Sequence, residues 1–104
     1  MDKIIYISGK ITNNDNAFKD FEQAEMQIRM QGDKAINVMK LNSVIPFFSY
    51  NQYMQLDFRL IELSDEVYVI GDWKTSKGVK AEIAYAKAIG KPVKFESKQW
   101  RYRE

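Results

Sequence analysis

Chemistry in this sequence must be done with a restricted set of groups. The chain contains no Cys and no His. That excludes disulfides, thiol nucleophiles and thiolate metal sites, and it removes the commonest general base together with the commonest metal ligand. Acid–base or nucleophilic work falls to Asp, Glu, Tyr, Lys, Ser or Thr. Three side chains have types and positions suited to it: Glu82, Asp57 and Tyr6. Each also has a plainer role open to it. Glu82 is otherwise a solvent-facing helix residue paired with a lysine, Asp57 a surface partner of Arg59 or Lys74, and Tyr6 a core aromatic at a strand end. A fourth feature is Ser76-Lys77-Gly78, which precedes a helical pattern. Free backbone N–H groups at a helix start, with no side-chain bulk beside them, suit an anionic or oxygen-rich ligand. The segment is neither a Walker loop nor the Gly-x-Gly-x-x-Gly dinucleotide fingerprint.

The elements that position these residues follow from pattern. Lys3–Ser8 is a short run rich in Ile and Tyr that ends at Gly9, which reads as a strand buried on both faces. Asn13-Asn14-Asp15 supplies capping residues for a helix over about 16–31, with Ala17, Phe18, Phe21, Ala24 and Ile28 on its apolar stripe. Ala35–Met39 is a weaker strand, followed by a loop to Tyr50 that carries Phe47 and Phe48. A second helix is predicted over about 52–63, with Tyr53, Leu56, Leu60 and Leu63 buried. Glu66–Ile70 is a strand by its β-branched and aromatic content. Ser76 caps a third helix reaching Ile89, with Val79, Ile83, Ala86 and Ile89 facing the core. Gly90 and Pro92 end it, and a fourth strand follows over Pro92–Phe95.

Strands that alternate with helices imply a parallel sheet with helices on both faces. The expected fold is a small flavodoxin-like or Rossmann-like three-layer α/β/α domain with about four parallel strands, spanning residues 1–104. In such sheets ligands bind outside the carboxyl ends of the strands, where strand order reverses. Tyr6–Gly9 ends the first strand, Gly71-Asp72-Trp73 follows the third, and Asp57 and Glu82 lie in the early turns of two helices that begin at that edge. Trp73 is placed there either to stack on a base or to seal the edge of the core; Phe47, Phe48 and Tyr50 either anchor their loop or line a pocket.

The bulk properties set outer bounds. At 104 residues, 45% hydrophobic and 29% charged, the chain is an ordinary folded domain. A net charge of +2 with scattered basic residues makes a nucleic-acid partner unexpected. No apolar run approaches ~20 residues, so no membrane span is expected. Ile4–Ile7 is too short for a signal peptide, and the cytoplasm is the expected compartment.

Three segments also resemble a known family. Tyr6-Ile7-Ser8-Gly9-Lys10-Ile11 is similar to the Tyr-x-x-Gly-x-Ile opening of the nucleoside 2-deoxyribosyltransferase superfamily. Asp57-Phe58-Arg59, continuing through Glu62-x-Ser64-Asp65 into a strand, resembles its central acidic segment. Ser76-x-Gly78-x-x-x-Glu82-Ile83-x-Tyr85-Ala86 resembles its Ser-x-Gly-x-x-x-Glu segment. The likeness runs in order over about residues 3–95. It is nearest to a small phage and bacterial branch with a Gly-x-Trp loop (Gly71-Asp72-Trp73), related to the 2'-deoxynucleoside 5'-monophosphate N-glycosidases.

The resemblance implies hydrolysis or transfer at the N-glycosidic bond of a nucleoside or nucleotide. It makes Glu82 the nucleophile or stabiliser of an oxocarbenium-like centre, Asp57 the group that positions the sugar or assists base departure, and Tyr6 a hydroxyl beside the catalytic carboxylate. Ser8, Gly9, Lys10, Ile11, Trp73, Ser76 and Gly78 become substrate-binding candidates, with Ser76 and Gly78 holding a 5'-phosphate. It implies no metal and no cofactor, and a homodimer or higher homo-oligomer. The sequence departs from the family at Asn37, followed here by Val38 rather than Pro, at Lys80-Ala81 before the glutamate, and at Lys10. These departures keep two rivals in view: a catalytically inactive nucleotide-binding protein that senses or sequesters, and an oligomeric interaction module built on the aromatic, basic tail with Trp100, Arg101, Tyr102 and Arg103.

Overall fold

The computed structural model describes residues 2–97. The expectations for the tail aromatics and arginines lie outside the described residues. Along the chain come β1 (Ile4–Gly9), α1 (Ala17–Met30), β2 (Lys34–Ile36), α2 (Val38–Ser43), α3 (Tyr50–Glu62), β3 (Glu66–Ile70), α4 (Lys77–Ala88) and β4 (Val93–Phe95). The strands form one sheet in the order β2-β1-β3-β4, and every pair is parallel. The predicted α/β class and strand count are those observed. The order reverses between β1 and β3, so the crevice expected of this class lies outside their carboxyl ends.

Strand alternation sorts the core. Tyr6 and Ser8 point toward α4, where both reach the side chain of Glu82. Ile5, Ile7 and Gly9 therefore face the opposite side, with α1. The close fit there is visible at Gly9, where a Cβ would lie 2.7 Å from Ile70 Cγ1 and 3.1 Å from Phe21 Cε1. Only glycine fits between these two side chains. Phe21, Ala24 and Ile28 of α1 and Val79, Ile83 and Ala86 of α4 complete the buried cluster around β1 and β3.

Four expectations need correction. The second strand does not reach Met39; it stops at Ile36. Asn37 then turns the chain, because its side-chain oxygen accepts from the backbone N–H groups of Met39 and Lys40 and so caps α2. In α3 the buried residues are Asp57 and Ile61, whereas Leu63 is 57% exposed and Tyr53, Leu56 and Leu60 are only half-buried. Phe18 of α1 and Ile89 after α4 are exposed as well. Phe18 opens onto a cavity described below, and Ile89 lies beyond the last helical residue. Finally, the residue before α1 is Asn16, without a side-chain cap. Asn14 instead closes an Asx turn by accepting from the Asn16 N–H at 3.1 Å, and Asn13 takes a left-handed φ of 59° that asparagine tolerates.

Candidate active site

Glu82 is the sixth residue of α4, and it faces inward. Only 6% of it is exposed, and Asp57 of α3 is 5% exposed. This removes the solvent-facing reading of Glu82. It also removes the surface pairing of Asp57 with Arg59, whose guanidinium binds Glu62 at 2.7 Å. The Tyr6 hydroxyl donates to Glu82 Oε2 at 3.1 Å, and the Ser8 hydroxyl donates to Oε1 at 2.6 Å. Both oxygens of the glutamate are thus held by neutral donors from β1, with no cation in contact.

The electrostatics follow from this burial. Desolvation, reinforced by the neighbouring Asp57 charge, pushes Glu82 up to about 8, while the hydrogen bonds from Ser8 and Tyr6 pull the other way. Burial likewise raises Asp57, opposed by its interactions with Glu82 and Tyr6. Burial and the two acids hold the Tyr6 phenol well above its ordinary range, so it stays a donor. Two acids that cannot both ionise cheaply share protons between them, the usual setting for acid–base or nucleophilic work.

The pair opens onto a cavity of about 810 Å³, lined by residues from the β1–α1 loop, α2, α3 and the start of α4, including Asp57 and Glu82. Its size is that of a small-molecule site. At one end lies the N-terminus of α4. There Ser76 caps the helix by accepting from the Val79 N–H at 3.2 Å, and Gly78 leaves the next turn uncovered. Lys10 spans from the β1–α1 loop to Thr75, donating to its hydroxyl at 3.0 Å. A cationic ammonium and the positive end of a helix thus flank the same end of the cavity.

Of the sequence-predicted residues, Gly9, Lys10, Ile11, Asp57, Ser76, Gly78 and Glu82 line the cavity. Tyr6 and Ser8 stand behind Glu82 and act through it. Trp73 is elsewhere: its ring packs 5.3 Å from that of Phe95, so of its two expected roles the structure places it against the edge of the core. Phe48 packs on Tyr53 and Phe47, and Phe47 is 74% exposed. Tyr50 does line the cavity. The sequence reading missed the wall made by Met39, Asn42 and Ser43, because it missed α2. The signal was present in Asn37, a capping residue directly before Val38. A clip fixes this helix to α1: Glu25 Oε1 accepts from Asn37 Nδ2 at 3.1 Å and lies 3.0 Å from Lys40 Nζ. Although partial burial works against it, these partners hold the Glu25 carboxyl below its usual value.

Two solved structures are similar in shape. A 2-deoxyribosyltransferase from Bacillus psychrosaccharolyticus shares 23% identity at a TM-score of 0.72, over 88% of this chain and 70% of that one. The Clostridium botulinum CMP N-glycosidase BcmB shares 20% identity at a TM-score of 0.66, over 95% of this chain and 78% of that one. At these identities the likeness establishes a common fold. No curated protein matches the sequence. Residues 3–95 match a family described as a domain of unknown function, DUF4406. With nearly the whole chain inside that match, the protein belongs to the DUF4406 family.

Proposed function

We propose that this protein processes nucleosides or nucleotides by breaking, or exchanging across, the N-glycosidic bond. The observation that carries the reading is the buried pair of acids, Glu82 and Asp57, opening together onto one cavity with a helix N-terminus at its end. The fold shared with a deoxyribosyltransferase and a CMP N-glycosidase supports it. Cleavage of this bond builds positive charge at the anomeric carbon, and an adjacent carboxylate lowers the energy of that state. Glu82 supplies it, either attacking that carbon or stabilising the charged centre, with Tyr6 and Ser8 fixing its orientation. As the C–N bond breaks, its electron pair goes to the base, and Asp57 delivers the proton the base takes up. Water or a second base then accepts the sugar. Ser76, Gly78 and Lys10 bind a 5'-phosphate, and the assembly is a homo-oligomer.

The test is incubation with the common deoxynucleoside 5'-monophosphates and chromatography for free base. Release by the wild type and its loss in a folded Glu82→Ala variant are the expected results. No release from any base contradicts the catalytic reading. One observation favours a second reading, a nucleotide-binding protein without turnover: with its carboxyl pushed to about 8, Glu82 is largely protonated at neutral pH and serves as a neutral hydrogen-bonding group. Recovery of a bound nucleotide intact would select that reading.

A further inference from the structure

Among the described residues, two buried side-chain polar atoms have no hydrogen-bond partner: Oδ1 of Asp57 and Oδ1 of Asn42. Both residues line the same cavity. Buried acceptors are almost always satisfied, and each exception needs an explanation. Two exceptions on one cavity wall share one: the missing donors belong to the ligand. We infer that Asn42 is a specificity residue that reads the nucleobase, and that the site favours bases bearing an exocyclic amino group over those carrying a carbonyl at the same position. The inference rests on the nucleotide reading above and adds to it the class of base.

The chemistry is that of complementary edges. Asn42 and Asp57 both present an oxygen that lacks a donor. An amino group on the base supplies N–H donors, whereas a carbonyl oxygen there adds another acceptor to a wall that already has two. The Asn42 oxygen is covered in the empty cavity, and a turn about its broad χ2 torsion brings it to the ligand. Its helix is held in place for this role. Asn37 caps α2 and is tied to Glu25, which also binds Lys40, so the wall that carries Asn42 is fixed to α1. A rigidly placed acceptor discriminates better than a mobile one, because the wrong base cannot be accommodated by shifting the wall.

The experiment uses dCMP and dUMP, which differ in this edge of the base. Affinity is measured by calorimetry and free-base release by chromatography, for wild type, Asn42→Leu and Asn42→Asp, each checked for a cooperative thermal transition. Wild type is expected to favour dCMP by about tenfold or more. Asn42→Leu, which keeps the volume and removes the oxygen, brings the two nucleotides within about twofold. Asn42→Asp, which keeps only acceptors, retains the preference. Equal treatment of the two nucleotides by wild type overturns the inference, as does a preference that survives in Asn42→Leu. Should Asn42→Leu not fold, loss of the preference in Asn42→Asp overturns it instead. Failure of the catalytic reading looks different: dCMP is bound in preference to dUMP and recovered intact. Binding of neither nucleotide overturns both.

Discussion

Two glutamates in this chain are almost equally hidden and held in opposite ways. Glu66, 7% exposed, opens β3 at the amino end of the sheet; Glu82, 6% exposed, faces the carboxyl edge. Lys3 Nζ lies 3.3 Å from one Glu66 oxygen and Lys94 Nζ 3.6 Å from the other. Glu82 has two hydroxyls and a neighbouring acid. A buried carboxylate with two cations has its counter-charge supplied by the fold. One with none must take up a proton or wait for a ligand that brings positive charge. The amino end of the sheet is thus a finished structural contact, and the carboxyl edge is left open to chemistry. Burial alone did not separate the two; the partners did.

The sharpest way to break this contrast is to neutralise each glutamate in turn. Glu82→Gln is expected to lower free-base release on the order of a thousandfold while the fold persists. Glu66→Gln should leave release within about threefold and cost about 1 kcal/mol of stability, since both its lysines are more than half exposed and their pairing is screened. Chromatographic assays and urea midpoints on both variants check this.

The pH dependence of stability sharpens it further. The folded chain holds the Glu82 proton between the ordinary value of 4.5 and about 8, a window in which the unfolded chain has lost it. Stability is therefore greatest below that window and falls as pH rises through it, by about 4–5 kcal/mol at most. Urea unfolding at pH 5 and pH 8 should show the loss in wild type and in Glu66→Gln, and a much flatter profile in Glu82→Gln. Asp57→Asn removes the neighbouring charge, so Glu82 falls below about 8 and the loss begins at lower pH. The same variant should reduce base release on the order of a hundredfold, read from the pH–rate profile.

A smaller effect separates fold from ligand at the helix start. A Cβ on Gly78 would meet Tyr50 Oη at 3.5 Å and Met54 Sδ at 3.7 Å, which is ordinary contact. Gly78→Ala should therefore fold and gain about 0.5–1 kcal/mol in helix stability. It should lose about tenfold in affinity for a 5'-monophosphate relative to the nucleoside, measured by calorimetry. Gly9 stands in contrast, since its place is closed by Ile70 and Phe21.

The sequence made the four strands, the three longer helices and the cavity-lining acids legible, because β-branched runs, Gly and Pro stops and helical spacing were all present. The failures have physical causes. A six-residue helix such as α2 is too short to show a period, and its opening Val38-Met39 reads as more strand. In α3 the residue pointing inward is Asp57, so a count of apolar positions placed the buried stripe on the wrong face. That misfit was itself informative: a carboxylate occupies a buried position where the fold alone would use a hydrophobe. Trp73 could not be placed from sequence because its position depends on contact with Phe95 of β4, twenty-two residues later. Asn42 carried no signal at all without α2 to hold it on the wall.

The most direct measurement puts wild type, Glu66→Gln and Glu82→Gln side by side with the four common deoxynucleoside 5'-monophosphates and follows free base by chromatography. The prediction is release by wild type and Glu66→Gln at comparable rates, and next to none by Glu82→Gln. Equal release by all three, or none by wild type from any of the four, would contradict the assignment of the chemistry to the carboxyl edge.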